Sequence, residues 1–386
     1  MERRVVNTFY EFFAGGGMAR AGLGQHWQCL LANDICEAKG RSYAANWGDD
    51  HLIVRDIYDL NASELPGYGD LAWGSFPCQD LSLAGAGLGL QGERSGAFWG
   101  FWKIIQGLNQ AGRKPKIVVI ENVLGALTSH QGQDFELIAN AVAKESYTVG
   151  AMVIDAVYFV PQSRPRLFII GVDSSLDIPT EIHAATPHPA WHPAALIRAH
   201  NRLSPQGKTR WRWWCMPIQA DPVPVLDDLM ETDPAGVNWH TAEETAKLLN
   251  MMSPLHRRKV MAAQGLGHAK VGMIYKRTRN GVQRAEVRFD GIAGCLRTPS
   301  GGSSRQTVMI VQEGQIKSRL ISPREAARLM GLPDSYKLPT RYNEAYKLLG
   351  DGVVAPVVAH LEKHIFSPLL QLNKATLGST TRNRAR

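Results

Sequence analysis

Residues 5–17 of the chain read VVNTFYEFFAGGG, and this stretch decides the fold. Its β-branched and aromatic residues, from Val5 to Phe13, predict a strand that ends in three consecutive glycines. A helix-like stretch follows from Met18 to about Gly24. In an open α/β sheet, a glycine-rich turn after the first strand lets the backbone approach a ligand at the point where the strand order reverses. A plain tight turn is the alternative interpretation.

Strand-like and helix-like segments alternate as far as Val172. The further predicted strands are Trp27–Ala32, Ile53–Val54, Leu71–Phe76, Ile117–Ile120, Tyr147–Ala156 and Leu167–Val172, and the predicted helices are Glu37–Asn46, Phe98–Leu108 and Phe135–Lys144. This alternation predicts a doubly wound, Rossmann-like α/β sheet. After Val172 the character changes, because residues 177–240 are rich in Pro, His and Trp and residues 271–311 read as short strands. A short helix is predicted over Thr241–Asn250.

Length and composition exclude several classes of protein. With 386 residues the chain is long enough for two or three domains, and 44% hydrophobic content without a repeat excludes disorder and collagen. The sequence contains no apolar run of about 18 residues, so no membrane span is predicted. The start of the chain also lacks the features of a signal peptide. The five cysteines include no CxxC pair, which argues against a disulfide framework or a structural zinc site. We therefore expect a cytoplasmic protein without a metal.

Charge is distributed unevenly along the chain. Residues 1–249 hold 20 Lys and Arg against 27 Asp and Glu, a net charge of −7. Residues 250–319 hold 13 against 3, a net charge of +10, and residues 320–386 hold 10 against 5, a net charge of +5. A basic segment behind an acidic one is typical of a module that binds a polyanion such as nucleic acid. A lysine-rich solvated face is the alternative.

Two acidic residues follow the second and third predicted strands. Asp34 lies 17 residues beyond Gly17, where a carboxylate can hold ribose hydroxyls, and Asp56 can meet the edge of a base. Met18 follows the glycines, so the pyrophosphate-binding pattern GxGxxG is not fulfilled. A cofactor without a pyrophosphate, such as S-adenosylmethionine, therefore fits these residues better than NAD.

A thiol and a carboxylic acid follow two other strands. Cys78 comes directly after the predicted strand Leu71–Phe76, and Glu121 comes directly after Ile117–Ile120. A nucleophile and an acid in one cleft is an arrangement for covalent catalysis with proton donation. The alternatives are an inert buried thiol and a surface or helix-capping acid. Further along, residues 162–166 read QSRPR, which is either a pair of guanidinium groups that clamp a phosphate or a surface turn.

Taken together, these segments resemble the cytosine-5 DNA methyltransferase family along most of the chain. Six segments occur in the family's order, with a large variable insert between the fourth and the fifth. They are Phe13–Gly17 (the FxGxG cofactor loop), Pro77-Cys78-Gln79 (the PCQ nucleophile), Glu121-Asn122-Val123 (ENV), Gln162-x-Arg164-x-Arg166 (QxRxR), Pro323–Asp334 and Gly350–Val358. Two positions depart from the family pattern: Met18, where many members have a further glycine, and Asp351, where many have asparagine.

The resemblance implies a catalytic role for each matching residue. The Cys78 thiolate would add to cytosine C6, Glu121 would protonate or hydrogen-bond N3, and Arg164 would contact O2. The positions that support the thiol and the catalytic loop would be Gln79, Gln162 and Arg166. The base must leave the duplex, because C6 is not open to attack in a stacked pair. The glycine-rich loop at residues 80–97 would then close over the extruded base.

The same resemblance implies a cofactor site and a DNA-contacting surface. The S-adenosylmethionine contacts would be Phe13, Ala14, Gly15, Gly16, Gly17, Asp34, Ile35, Asp56, Ile57, Pro77, Phe98, Asp351, Gly352 and Val353. The DNA contacts would be Ser82, Arg94, Arg277, Arg279, Arg284, Arg288, Arg297, Ser300, Gly301, Gly302, Ser303 and Arg305. The basic excess suits phosphate contacts, which fix the register on DNA without reading its sequence. For Trp211, Trp213 and Trp214, packing of the small domain is favoured over stacking on bases.

The implied domains are a catalytic, S-adenosylmethionine-binding domain over residues 1–180 and a smaller, strand-rich target-recognition domain over 185–335. A helix over 340–373 would return to the catalytic domain, and residues 374–386 would form a disordered basic tail. The implied partners are double-stranded DNA and a cognate restriction endonuclease. We expect a monomer in the bacterial cytoplasm, without a membrane association.

Three other functions remain open at this point. An RNA cytosine-5 methyltransferase carries the same motifs, although the long basic insert favours duplex DNA. A nucleotide-binding oxidoreductase with a reactive thiol would bind NADH and not S-adenosylmethionine. A non-catalytic DNA-binding relative is disfavoured, because Cys78 and Glu121 are both present.

Overall fold

The structure is a computed structural model that describes residues 6–77, 96–279, 281–298 and 305–374, with residue 279 described by its backbone alone. The chain forms two compact units. The first unit comprises Met1–Ile154, Pro165–Gln219 and Val357–Arg386, and the second comprises Asp155–Arg164 and Ala220–Pro356. The first unit is therefore assembled from three separate segments of the sequence.

A seven-stranded sheet forms the centre of the first unit. Its strands are β1 (Asn7–Phe12), β2 (Trp27–Asp34), β3 (Leu52–Val54), β4 (Leu71–Gly74), β5 (Ile117–Val123), β6 (Tyr147–Asp155) and β7 (Pro165–Asp173). They lie in the order β3-β2-β1-β4-β5-β7-β6. The first five strands pair in parallel, whereas β7 is antiparallel to β5. The predicted doubly wound α/β sheet is confirmed, with an antiparallel strand inserted near one edge.

Over the described residues up to 219, six α-helices belong to the same unit. They are α1 (Met18–Leu23), α2 (Glu37–Trp47), α3 (Ala97–Gln110), α4 (Gln133–Lys144), α5 (Ala194–Arg202) and α6 (Pro205–Thr209). On α3, the apolar residues Phe98, Phe101 and Ile105 recur at helical spacing and are fully buried in the core with Val118 of β5. A strand that is covered by such apolar side chains must itself be apolar, and the centre of β5, residues 117–120, consists of Ile and Val only.

Residues 185–219 lie in a different unit from the one expected. The sequence assigned them to the small domain, but they belong to the first unit, with the short strands β8 (His183–Ala184) and β9 (Trp213–Trp214). Trp211 and Trp213 are part of its core, and buried Trp214 donates its Nε1–H to the carbonyl oxygen of Ile170 at 3.0 Å. These tryptophans therefore have a packing role, as expected, but they lie in the core of the first unit and not in the small domain.

The chain closes the first unit with a C-terminal helical segment. It runs through α11 (Ala355–Leu361), a π-helical turn at Glu362–Phe366 and helical residues 367–374. Buried Glu362 accepts a hydrogen bond from Trp27 Nε1 at 3.1 Å and contacts His26 Nε2 at 2.8 Å. Lys374 donates to Asn7 Oδ1 at 2.6 Å, so the helix includes a residue that the sequence assigned to the tail. The remainder of the predicted tail lies outside the described residues.

The second unit contains a four-stranded antiparallel sheet in the order β11-β10-β12-β13. Its strands are β10 (Lys270–Arg279), β11 (Val282–Arg288), β12 (Thr307–Gln312) and β13 (Gln315–Leu320), and its helices are α7 (Ala242–Asn250), α8 (Pro254–Gln264), α9 (Pro323–Leu329) and α10 (Tyr342–Asp351). A small apolar core joins Ile274, Val287 and Met309 to Val260 of α8. Over the described ranges of both units, no helix is long and apolar enough to cross a membrane.

Candidate active site

One edge of the large sheet carries most of the expected site residues of the first unit. Because β1, β4 and β5 are parallel, the residues that follow them meet at one edge. The loop Phe13–Gly17 follows β1, Pro77 lies shortly after β4, and Glu121 lies near the end of β5. Since β7 is antiparallel to β5, its start lies at the same edge, where Arg166 pairs with Val123.

The glycine loop after β1 has a left-handed backbone. Gly15 and Gly17 have φ values of 58° and 75°, which glycine adopts without strain, and the non-glycine residue Phe13 also has a positive φ of 57°. The Gly15 N–H donates to Asp34 Oδ2 at 2.9 Å, and the Gly17 N–H donates to the Ala14 carbonyl at 2.8 Å. Among the residues that the structure describes, a Cβ atom added to Gly15 would meet no atom within 4 Å. The loop is therefore held in place while leaving open space beside its backbone.

Asp34 at the end of β2 organises the surrounding loops. Its Oδ2 accepts from Gly15 and its Oδ1 accepts from the Cys36 N–H at 2.8 Å. A carboxylate has about four lone-pair sites, so acceptor capacity remains for hydroxyl groups. The neighbouring side chain of Ile35 is 65% exposed and presents an apolar surface. The residues present at this position thus fit a nucleoside, which combines a ribose diol with an apolar base.

Asn33 is a positioning residue that the sequence analysis missed. Its buried side chain donates to the carbonyl oxygens of Ile53 at 3.1 Å and Arg55 at 2.9 Å. These bonds fix the segment that leads to Asp56, whose Oδ1 accepts from the Tyr58 N–H at 3.0 Å. The available signal was a polar residue at the end of an otherwise mostly apolar strand.

Phe98 lies in the core. It is 0% exposed, and its ring centroid lies 4.9 Å from Trp99, 5.6 Å from Phe76 and 5.8 Å from Trp102. The structure therefore gives Phe98 a different place from the adenine contact expected of it, because its ring has no exposed surface. Ile57 is also nearly buried, at 4% exposure, whereas Pro77 is exposed.

Glu121 and Arg166 form an ion pair at the active edge of the sheet. Arg166 Nε lies 3.3 Å from Glu121 Oε1, and the two side chains are 16% and 9% exposed. The next residue, Asn122, donates its Nδ2–H to the Phe76 carbonyl at 3.3 Å. This bond ties the end of β5 to the segment that leads directly into Cys78. The acid is thus held beside the approach to the expected nucleophile.

Arg164 and Gln162 lie in the second unit, where their contacts differ from those expected. Arg164 is 2% exposed and donates to the carbonyl oxygens of Leu296 at 2.8 Å and of Gly350 and Gly352 at 2.7 Å each. Gln162 is fully buried and accepts from the Leu296 N–H at 3.1 Å. Three backbone carbonyls hold the Arg164 guanidinium group, and this geometry favours a structural role over the expected contact with cytosine O2.

The turn that follows α10 also lies in the second unit. Asp351 Oδ1 accepts from the Thr298 hydroxyl at 2.7 Å, the Gly352 carbonyl accepts from Arg164, and Val353 is buried. The carboxylate at position 351 is thus an acceptor for a neighbouring loop of its own unit. A contact of this turn with the cofactor stays a prediction.

The expected DNA-contacting arginines include a cluster on one hairpin. Within the described residues, which omit 299–304, β10 pairs with β12 from Lys270 to Ile274 and with β11 from Met273 to Arg279. Residues 275–279 and 282–286 therefore form a two-stranded extension, which we call the ribbon. Arg277 lies directly opposite Arg284 in the ribbon, and both side chains are exposed. Since side chains alternate along a strand, residues 277, 284 and 288 share one face.

Three of the expected arginines already have protein partners, the first being Arg277, whose Nε lies 3.8 Å from Glu286 Oε2. Arg288 donates to both carboxylate oxygens of Asp290, at 2.7 and 2.6 Å, and Arg305 donates to Asn343 Oδ1 at 2.6 Å. Arg297 is exposed. Several further expected residues lie outside the described residues, and their roles stay predictions: Cys78, Gln79, Ser82, Arg94, Ser300, Gly301, Gly302 and Ser303.

Glu11 is a buried acid in β1 that sequence reasoning also missed. It is 1% exposed, and its Oε1 accepts from the Arg20 N–H at 3.4 Å. Among the described residues, its Oε2 has no hydrogen-bond partner. Burial raises the pKa of Glu11 to about 8, so the side chain is mostly protonated at neutral pH. A single acid within an aromatic strand was the signal for it.

Comparison with known sequences agrees with this geometry. Residues 7–367 match the sequence model of the family described as C-5 cytosine-specific DNA methylase. The type II methyltransferase M.HhaI of Haemophilus parahaemolyticus is 27% identical over 365 residues, which cover 94% of each protein. The type II methyltransferase M.DsaV of Dactylococcopsis salina is 24% identical over 377 residues, which cover 95% of this chain and 88% of that protein.

Solved structures share the fold. A putative DNA modification methyltransferase encoded within an E. coli prophage aligns with a TM-score of 0.58 at 19% identity, covering 95% of this chain and 99% of that one. The Dnmt2 methyltransferase of S. pombe aligns with a TM-score of 0.57 at 16% identity, covering 92% and 97%. The family match spans both units, and the first unit carries the acid and the glycine loop at one sheet edge. The chain belongs to the C-5 cytosine-specific DNA methylase family.

Proposed function

We propose that this DNA cytosine-5 methyltransferase uses S-adenosylmethionine and acts on an extruded cytosine through a covalent adduct with Cys78. The observation that carries the proposal is the Glu121–Arg166 pair, at 3.3 Å, on the sheet edge where the chain enters the Cys78 segment. A carboxyl group at that edge suits a base whose ring nitrogen must be protonated as its ring is attacked.

The cofactor would be held by the glycine loop and the strand ends beside it. Asp34 retains acceptor capacity for ribose hydroxyls, Ile35 offers an apolar surface for the base, and Gly15 leaves open space. When bound, S-adenosylmethionine supplies an electrophilic methyl group. Asp56 and Ile57 complete the expected adenine side, with the rigid segment held by Asn33 behind them.

The protein's own groups would carry the proton and bond changes on the base. The Cys78 thiolate forms a bond to C6 while Glu121 delivers a proton to N3, which turns the ring into an enamine that is nucleophilic at C5. After C5 has gained its methyl group, a water molecule takes the C5 proton, the electron pair left behind forms the C5–C6 double bond, Cys78 leaves C6 as a thiolate, and the N3 proton returns to Glu121. The aromatic ring and both catalytic residues are then restored.

We further propose that Arg166, and not Arg164, is the arginine of the QxRxR segment that faces the base. Arg166 lies against Glu121, whereas three backbone carbonyls hold the Arg164 guanidinium group. In this arrangement Arg166 orients the acid and offers donors to the cytosine oxygen. Arg164 and Gln162 stabilise the turns of the second unit.

The ribbon of the second unit is the proposed DNA-contacting element. Arg277 and Arg284 are like charges directly opposite each other, a pairing that destabilises a free hairpin. A polyanion offsets that repulsion, and a two-stranded ribbon has the width that the major groove of B-DNA admits. The names of the type II relatives support a cognate restriction endonuclease with the same recognition sequence. Such a partnership does not require physical contact.

Trapping on a modified duplex tests the proposal. A duplex with 5-fluorocytosine at the target should form a denaturation-resistant adduct in the presence of S-adenosylmethionine, because fluorine cannot leave C5 as a cation. Bisulfite sequencing of DNA from expressing cells would first identify the target cytosine. The Cys78→Ser variant should bind DNA but form neither adduct nor product, and undiminished turnover by this variant would refute the covalent route. A parallel assay on transfer RNA separates the DNA enzyme from its RNA-modifying alternative.

A further inference from the structure

Trp47, at the end of α2, contacts the middle of the glycine loop from behind. Its indole Nε1–H donates to the Gly16 carbonyl oxygen at 2.9 Å. The same ring packs against Gly17, where an added Cβ atom would collide with the indole. The peptide between Gly16 and Gly17 is therefore fixed on one side by this bond and on the other by the Gly17 N–H bond to Ala14 at 2.8 Å.

A second layer of side chains holds the indole. The Arg20 guanidinium carbon lies 5.0 Å from the centre of the Trp47 ring and 5.8 Å from that of Tyr43. Arg20 Nη1 donates to the Tyr43 hydroxyl at 2.9 Å and also contacts the His51 ring. Tyr43 is fully buried, and its hydroxyl lies 3.1 Å from His51 Nε2. The layer joins α1, α2 and the residue before β3.

The physical need for such a support follows from the loop itself. Three consecutive glycines have more backbone freedom than any other tripeptide, so an unsupported loop would sample many conformations. Ordering it when a ligand binds would cost affinity, and a loop already ordered avoids that cost.

We propose that Trp47 is a positioning residue that preorganises the glycine loop for the cofactor, with Arg20 and Tyr43 holding its indole. The proposal rests on the function proposed above. Trp47 acts on the cofactor through Gly16 and Gly17, so it governs cofactor affinity and leaves the chemistry at Cys78 and Glu121 unchanged. A phenylalanine at this position would keep the packing and lose the hydrogen bond.

The test compares two tryptophan-to-phenylalanine variants that each remove one indole-to-carbonyl hydrogen bond. Trp47→Phe should raise the Kd and KM for S-adenosylmethionine about 5- to 10-fold, the effect of roughly one neutral hydrogen bond, with kcat at saturating cofactor unchanged. Trp214→Phe, which loses a comparable bond to Ile170 remote from the loop, should leave both constants at the parental values. Tyr43→Phe provides a second, milder variant and should raise the KM in the same direction.

The outcomes separate this inference from the proposed function. If the parent enzyme binds no S-adenosylmethionine in calorimetry, the proposed function is wrong. If the parent binds it and Trp47→Phe binds it equally well, the function stands and the positioning role is overturned. A loss of kcat at saturating cofactor would also overturn it, because that result would place Trp47 in the chemistry. If Trp47→Phe and Tyr43→Phe both act through the glycine loop, their effects on the Kd for S-adenosylmethionine should be less than additive in the double variant. Additive effects would contradict a shared route.

Discussion

At the scale of single residues, Glu121 makes the sharpest prediction. Glu121→Gln keeps the shape and a hydrogen bond of the side chain but cannot deliver a proton readily, so methyl transfer should slow by about 10²-fold or more. The variant should bind S-adenosylmethionine with parental affinity, since Glu121 pairs with Arg166 whereas Asp34 is the acid that bonds to the glycine loop. Single-turnover kinetics and calorimetry measure the two quantities. Lost cofactor binding with intact chemistry would make Glu121 a cofactor ligand.

Glu11 predicts a dependence of stability on pH. Burial raises the pKa of Glu11 from 4.5 to about 8, so folding takes up a proton between these pH values and the free energy of unfolding falls as pH rises. The loss should approach about 1.4 kcal/mol per pH unit in that window. Glu11→Gln removes this loss while keeping the shape. Denaturant unfolding at pH 6 and pH 8 should show the variant gaining stability over the parent at the higher pH, and parallel curves would contradict the prediction.

The sequence predicts site residues well where the topology alone decides their position. Asp34 and Glu121 follow strands, and parallel strands bring the residues that follow them to one edge. Asn33 and Glu11 were missed because their roles depend on neighbours that are distant in the sequence, such as Arg55 for Asn33. The motif alone could not tell the role of Arg164 from that of Arg166. Only one residue stands between them, yet the two arginines belong to different units, and the sequence does not show this.

At the scale of elements, the ribbon predicts opposite effects on folding and on binding. Arg284→Ala should slightly stabilise the free protein by relieving the repulsion with Arg277, and it should weaken DNA binding. If the residue touches only phosphate, the salt slope of affinity should fall by about one unit. If it reads a guanine, methylation should relax at one position of the recognition sequence at a cost of roughly 1–3 kcal/mol. Salt titrations and methylome sequencing distinguish these cases.

Arg41 on α2 offers a matched control for the ribbon. Its side chain is 68% exposed and carries the same charge on the first unit. Arg41→Ala should leave both the DNA affinity and its salt slope near the parental values. Equal losses from Arg41→Ala and Arg284→Ala would mean that net charge, and not the ribbon, governs DNA binding.

Elements were predictable where a local pattern marks them. Thr241 and Glu244 form a capping box at the start of α7, and a helix was predicted there. The helix α8 was not predicted, because the apolar residues of its sequence PLHRRKVMAAQ do not recur on one face of a helix. Several of them are exposed, among charged residues. Residues 185–219 show little periodicity, and their place in the first unit depends on the burial of the tryptophans.

At the scale of the whole molecule, one buried ion pair allows a prediction about the stability of the second unit. Arg319 and Glu325 are both 0% exposed and are joined by two hydrogen bonds of 2.7 and 2.6 Å. Glu325 Oε1 also accepts from the Glu231 N–H at 2.8 Å, so the pair joins segments that are distant in the sequence. Arg319→Met should cost about 3–5 kcal/mol, because it leaves a carboxylate buried without its partner.

A companion variant tests the cause of that loss. Adding Glu325→Gln to Arg319→Met removes the buried charge and keeps a group that can cap α9, so part of the stability should return. Chemical denaturation of both variants measures the difference. If the double variant is less stable than Arg319→Met alone, the loss comes from packing and not from an unpaired charge.

The three-segment construction of the first unit has a consequence for how the protein is made. A ribosome adding about 5–20 residues per second would finish residues 1–219 roughly ten seconds before it reaches the segment that supplies Glu362 and Lys374. During that interval Trp27 and Asn7 lack the partners that they have in the finished protein. The seven strands of the sheet have then been made, but the first unit stays without its C-terminal helical segment while residues 220–356 are synthesised. A premature stop codon within residues 220–356 would therefore release a chain with an unfinished core, which chaperones and proteases would recognise, and a translational pause there would prolong the unfinished state.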